Sequence, residues 1–316
     1  MKLATFLPPD RSKGARVGLL VGERLLDVAA ALESSGDTTG TDASTMKSLL
    51  ACGEAGLEAV RQLVKRPAGA TGLPHPGSLF SLDDITFMPP VPDAEKFLCV
   101  GKNYRTHLEE LKRTDLITEM PQEPTGFIKL NSCLTGHGQD VVRPPSIRRL
   151  DYEPELVFVI GRPAFGVTED EAVGYVAGIT LLNDLTCRDT QKREVASGSR
   201  FWTAKNAPGF GPLGPYIITM DEVPDPYDLW VTCSVNGEQR MRVNTADQIW
   251  KLPRILAHFS RLIPLQPGDM FSTGAPGGVA VGKPNAEALY LRPGDTVECT
   301  FEQPAMTLRN RIVAPA

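Results

Sequence analysis

With 316 residues, 41% hydrophobic and 22% charged side chains and a net charge of −5, the chain reads as an ordinary globular protein of one large domain or two. No Lys/Arg-rich block is present, which argues against nucleic acid as a partner, and no apolar run is long enough to span a membrane. The apolar run at residues 3–7 is too short for an export signal, so the expected location is the cytoplasm.

In chain order, residues 16–27 read as two short strands joined near Gly22-Glu23. Residues 51–65 place Leu57, Val60, Leu63 and Val64 near helical spacing. Pro74, Pro76, Pro89, Pro90 and Pro92 then exclude a continuous helix or central strand. They mark an expected boundary near residue 90, between a small amino-terminal α/β module (1–90) and a larger domain (91–316). Residues 96–101 and 156–160 read as buried strands, and 179–183 as a strand leading into Asp184. Thr168-x-x-Glu171 is a capping-box pattern. Asn236-Gly237 between two β-type runs predicts a hairpin. Residues 245–262 read as helix, interrupted or restarted at Pro253. The expected fold class is α+β, mainly β, rather than a βαβ array. The six cysteines are scattered, with neither a C-x-x-C pair nor zinc-ligand spacing, so free thiols are expected.

Four segments carry chemistry. In Asp151-Tyr-Glu153-Pro-Glu155-Leu, strand alternation puts Glu153 and Glu155 on one face, with Val157 and Val159 beyond them. Two carboxylates at the end of a run that is apolar on both faces repel and lose hydration, and a hard divalent cation relieves both costs. The alternative is a solvated acidic strand end. Asp184, projecting from the end of another core strand, adds a third oxygen ligand. In Asn103-Tyr-Arg-Thr-His107-Leu-Glu-Glu110, Thr106 and Glu109 fit a capping box. His107 and Glu110 then share a helix face, as a water-activating dyad or as an ordinary helix start. Lys205 lies in a Gly/Pro-rich loop, where it serves an oxyanion or is a surface lysine. Residues 272–282 are glycine-rich but match neither a Walker loop nor Gly-x-Gly-x-x-Gly, which argues against nucleotide binding. They form a tight active-site loop or a plain turn.

Taken together, these segments resemble the fumarylacetoacetate hydrolase family. Val100-Gly-Lys-Asn-Tyr-Arg-Thr-His-Leu-Glu-Glu110 is similar to its G-x-N-Y-x-x-H-x-x-E segment. Asp151-Tyr-Glu-Pro-Glu-Leu156 is similar to its D-x-E-x-E-L strand, and Asn183-Asp-Leu-Thr-Cys-Arg-Asp-Thr-Gln191 to its N-D-x-S/T-x-R-D-x-Q segment. Lys205, Val235-Asn-Gly237, Asn244-Thr245 and Pro267-Gly-Asp269 match in order and spacing. The resemblance covers roughly residues 95–312. It implies Glu153, Glu155 and Asp184 as ligands of Mg²⁺ (or Mn²⁺ or Ca²⁺), and His107, Glu110 and Lys205 as catalytic groups. It further implies Tyr104, Arg188, Gln191, Thr273 and Gly274 as substrate contacts, a mixed β-sandwich roll, and a homodimer. One departure stands out: where the family loop often reads T-G-T-P, this chain has Thr273-Gly274-Ala275-Pro276 and lacks the second hydroxyl.

The expected activity is metal-dependent hydrolysis of a C–C bond in a 1,3-dicarbonyl acid, fumarylacetoacetate or acylpyruvate in type. The alternative is a lyase, decarboxylase or isomerase that takes an oxo-acid through an enolate. A ligand-binding module without catalysis would have no need of the His107/Glu110 pair.

Overall fold

The computed structural model of the protein describes residues 1–65, 76–113, 121–198 and 203–316. Among these, two sheets dominate. The larger has eleven strands. Its main path runs Leu79–Ser81, Arg24–Asp27, Arg16–Val21, Lys2–Leu7, Ile217–Thr219, Val176–Asn183, Pro154–Ile160, Met270–Ser272, Phe97–Gly101 and Thr125–Ile128, and Thr86–Phe87 also pairs with Lys2–Leu7. The smaller has five strands, in the order Glu238–Asn244, Trp230–Val235, Thr296–Phe301, Met306–Val313 and Asp140–Val142.

Side-chain alternation explains the layering. Along Pro154–Ile160, Leu156, Phe158 and Ile160 pack against Val231, Cys233, Phe301 and Leu308 of the smaller sheet. Val157 and Val159 point to the opposite face. There they join Leu32, Leu50, Leu57 and Val60 from the helices Val28–Ser34, Met46–Ala51 and Gly53–Lys65. The central strand is thus buried on both faces, as its uninterrupted apolar run requires. Each such side chain contributes about 1.5–3 kcal/mol on burial. The result is a mixed, sheet-rich fold with few helices, as the sequence pattern predicted.

The strands of the amino-terminal segment do not form a sheet of their own. Lys2 and Leu3 pair with Ile218 and Ile217, so that the hydrogen-bonded ladder crosses the proline-rich stretch without a break. The helix expected over residues 51–65 is present as Gly53–Lys65, and Gly53, with a left-handed φ of +62°, separates it from the preceding helix Met46–Ala51. Pro253 sits in the first turn of Leu252–Ser260, where its missing N–H costs nothing, so the pattern restarts there. The Asn236-Gly237 hairpin is present, and both residues have positive φ (+54° and +80°), as a type I′ turn demands. Glu171 accepts from both the N–H and the hydroxyl of Thr168, which is half of a capping box, and only the short 3₁₀ turn Ala172–Tyr175 follows. All six cysteines are free thiols.

Candidate active site

The carboxylate cluster is a product of strand register. Pro154–Ile160 and Val176–Asn183 run antiparallel, with Glu155 opposite Leu182 and Pro154 opposite Asn183. The next step along the ladder brings Glu153 beside Asp184, whose N–H donates to the Glu153 carbonyl at 2.8 Å. The Asn183 side chain accepts from the Glu153 N–H at 2.9 Å, and the Thr186 hydroxyl donates to the Asp184 carbonyl at 2.9 Å. One ligand oxygen from each of Glu153, Glu155 and Asp184 lies within 4.8 Å of the others, and all three residues are buried.

Three buried cations face this cluster. Lys205 donates to both Glu153 and Asp184. Arg188 donates to Glu153 at 2.6 Å, Asp151 at 2.8 Å and Gln191 at 2.9 Å. Lys129 donates to Asp184 at 2.7 Å and to the carbonyls of Lys205 and Phe210 at 2.5 and 3.0 Å. Burial pulls the Glu153 carboxyl upward, but Arg188, Lys205 and His107 outweigh it and hold the group well below the usual carboxylate range. Glu155 is opposite in sense. Burial, with the Asp184 charge beside it, pushes its carboxyl well above that range, and Lys205 offsets this only in part.

Lys205 is not on the surface. Its turn is clamped by Glu194, which accepts from the Thr203 and Ala204 N–H groups, and by Asn206, which bonds Leu130 and Ile128. Lys129 and Asp151 also belong to this buried charge cluster, and sequence reasoning missed both. Nothing in Phe127-Ile-Lys129 marks a lysine as buried. Asp151 stands in the quoted motif but was given no role. Removal of one partner from a buried ion pair leaves the other uncompensated. Lys129→Met is therefore expected to lower unfolding stability by about 3–5 kcal/mol. Denaturant titration would show this, and an unchanged midpoint would refute it.

The dyad lies on the helix Arg105–Arg113, with His107 Nδ1 3.3 Å from Glu110 Oε2 and both residues buried. The capping expectation needs correction. The helix starts one residue before Thr106, and the Thr106 N–H and hydroxyl both donate to the Asp247 carboxylate, at 3.0 and 2.6 Å. Asp247 arrives from a segment far along the chain, so local spacing carried no sign of it.

The glycine-rich loop at 272–282 holds this helix against the carboxylates. The Gly278 N–H donates to Glu110 at 2.7 Å, while the N–H groups of Ala280 and Val281 donate to Asp151 at 2.9 and 3.0 Å. One loop thereby ties the dyad to the strand that carries Glu153 and Glu155. A Cβ at Gly282 would lie 2.5 Å from the Glu110 Cδ. Gly282→Ala is expected to push Glu110 off His107 and lower kcat by up to about 100-fold, on the scale of misplaced catalytic groups. Thermal unfolding should move little, since the clash falls on a side-chain end. A large loss of stability with unchanged kcat would contradict this.

The remaining sequence-predicted residues separate into two groups. Gln191 lines the same pocket as His107, Glu153, Glu155 and Lys205, and Ala275 forms part of its wall. Tyr104 and Thr273 are buried in a network of their own. Gln248 donates to the Tyr104 hydroxyl at 3.0 Å, and that hydroxyl lies 3.4 Å from the Thr273 hydroxyl. Burial raises the Tyr104 phenol above its ordinary range despite these bonds. Gly274 has φ +89°, and a Cβ there would meet the Val100 carbonyl at 2.7 Å, so its role is close backbone approach. Arg188 is spent on Asp151, Glu153 and Gln191.

The donor set fits a hard divalent cation. It offers oxygen only, three carboxylates converge, and the Glu155 carboxyl is the one short of positive charge. A cation there would favour its ionised form.

Comparison with known proteins agrees with this geometry. The family model described as fumarylacetoacetate (FAA) hydrolase C-terminal matches residues 96–313. Human oxaloacetate tautomerase FAHD2A, mitochondrial, is 35% identical over 269 residues, which is 85% of this chain and 80% of that one. The crystal structure of 2-hydroxyhepta-2,4-diene-1,7-dioate isomerase from Mycobacterium marinum superposes with TM-score 0.71 at 26% identity, covering 100% of this chain and 99% of that one. Maleylpyruvate hydrolase from Sphingobium sp. SYK-6, in complex with manganese(II) ion and pyruvate, superposes with TM-score 0.74 at 26% identity and covers 100% of both chains. No helix among the described residues is long and apolar enough to cross a membrane. Matched across more than half its length and carrying the carboxylate cluster in the expected strands, the chain belongs to the fumarylacetoacetate hydrolase family of enzymes.

Proposed function

We propose that the protein catalyses keto–enol proton transfer on a short 2-oxo dicarboxylic acid of the oxaloacetate type, with a divalent cation held by Glu153, Glu155 and Asp184. The observation that carries this reading is that His107 of a buried His107–Glu110 dyad lines one small pocket together with Glu153 and Glu155 of the carboxylate triad. The likeness to oxaloacetate tautomerases supports the choice of substrate. When bound, the cation would act as a Lewis acid on the 2-oxo and carboxylate oxygens and make the C3 protons more acidic.

The chain's own residues do the rest. Glu110 accepts from His107 and orients the ring, leaving the other ring nitrogen to act as base. His107 takes a proton from C3. The C–H electron pair becomes the C2–C3 double bond, and the carbonyl π pair moves to oxygen. Lys205 donates toward that oxygen, which takes up a proton from solvent while His107 releases the abstracted one to solvent. No atom is gained or lost, as tautomerisation requires.

A second reading keeps the site and gives the dyad water as its substrate. His107 would deprotonate water, hydroxide would add to the distal carbonyl of an acylpyruvate, and C–C cleavage would release an acid and an enolate that recovers the proton. The likeness to maleylpyruvate hydrolase favours it. Product analysis separates the two. Incubation with oxaloacetate and acylpyruvate, with added Mg²⁺ or Mn²⁺, is expected to accelerate tautomer exchange of oxaloacetate without forming fragments. Formation of two carbon fragments from acylpyruvate, with no acceleration of tautomer exchange, would replace the first reading by the second.

A further inference from the structure

We propose that Lys102 is the specificity-determining residue of the pocket and binds the second carboxylate of a dicarboxylic substrate, an inference that rests on the oxo-acid reading above. Lys102 is half-buried and lines the pocket. Its backbone has φ +59°, in the left-handed region that residues with a Cβ rarely adopt. Glycine would occupy this position without strain, so the conformation by itself does not call for a lysine.

The neighbours impose that conformation. Lys102 links the end of strand Phe97–Gly101 to the start of helix Arg105–Arg113. Next to it, Asn103 is bonded on every side. Its side chain donates to the carbonyls of Trp250 and Thr273 at 3.0 and 2.9 Å and accepts from the Trp250 N–H at 2.7 Å, and its carbonyl accepts from the Ile249 N–H at 2.7 Å. Strain maintained by such over-determination is characteristic of sites where a side chain must be aimed.

Charge points the same way. Apart from His107, the basic residues among the described ones lining the pocket are Lys102 and Lys205. Lys205 faces Glu153 and Asp184 at the carboxylate end. Val100, Leu111, Phe127 and Ala275 supply the apolar wall. For a substrate whose oxo-acid end sits at the carboxylates and Lys205, Lys102 is then the other lysine among the described residues of the pocket wall. A monocarboxylic acid would leave that group without a substrate carboxylate.

The test uses the full chain loaded with Mn²⁺, titrated calorimetrically with oxaloacetate and with pyruvate. The wild type is expected to prefer oxaloacetate by about tenfold, the scale of one charge-assisted hydrogen bond. Lys102→Met should abolish the preference, and Lys102→Arg should keep most of it. A preference that survives Lys102→Met overturns the proposal. So does an equal loss for both acids, which would make Lys102 a support for the loop. If the preference depends on Lys102 but no tautomer exchange occurs, the tautomerase reading fails and the carboxylate assignment stands. Wild-type protein that binds neither acid overturns both.

Discussion

His107→Ala is expected to lower kcat for oxaloacetate tautomer exchange by roughly 10²–10⁴-fold, the range over which a positioned general base acts. Divalent-cation affinity should be nearly unchanged. The reason is geometric: His107 bonds Glu110, whereas the proposed ligand oxygens come from Glu153, Glu155 and Asp184. Glu110→Gln should give a smaller fall, because the amide still bonds the ring but no longer favours its protonated form. Stopped-flow absorbance of the enol, beside a calorimetric titration with Mn²⁺, measures both quantities. Retention of full activity in His107→Ala would remove the dyad from the chemistry. Loss of cation binding in the same variant would show that the ring belongs to the metal site.

Glu155→Gln is expected to weaken Mg²⁺ or Mn²⁺ binding by at least about 100-fold, the upper end of what even outer-shell changes cost. Asp184→Asn should do the same. The two variants differ in what they do to the metal-free protein. Asp184 accepts from Lys129 and Lys205, and its loss removes the carboxylate they share, leaving Lys129 its two carbonyls and Lys205 its bond to Glu153. Glu155 accepts from the Ser272 hydroxyl, and its charge is opposed by burial and by Asp184. Glu155→Gln should therefore be at least as stable as wild type without metal, whereas Asp184→Asn should be markedly less so. Wild type should gain about 2.7 kcal/mol when the cation is at 100 times its Kd, and each variant should gain no more than about 0.4 kcal/mol at that concentration. Thermal unfolding with and without Mn²⁺ reads all of this. A full metal-induced shift in Glu155→Gln would exclude that residue as a ligand.

Much of the local structure was legible in the sequence because its causes are local. Alternation along Leu156, Val157, Phe158 and Val159 predicts a strand, and the two faces do enter separate cores. Asn236-Gly237 specifies its own hairpin, since these residues tolerate positive φ. The residue types at Glu153, Glu155, Asp184 and His107 pointed to a metal site and a base, beside the readings of a solvated strand end and an ordinary helix start, and the family resemblance chose between them.

What the tertiary structure decided depends on partners distant in sequence. Asp184 joins Glu153 only through the register of two antiparallel strands. Lys129 looks like any lysine until Asp184 and two carbonyls surround it. The helix bearing His107 is capped by Asp247, over a hundred residues downstream, and not by the box that the local pattern offered. The amino-terminal strands read as a separate module, yet Leu3 pairs with Ile217 and extends the central sheet. By itself, the sequence determined which residues cannot rest in an apolar core unaided, because side-chain chemistry and strand periodicity are local properties. Which charge answers which was decided by the fold, because long-range pairing alone brings Lys129, Arg188 and Lys205 onto Asp151, Glu153 and Asp184 and gives Glu155 the Ser272 hydroxyl instead.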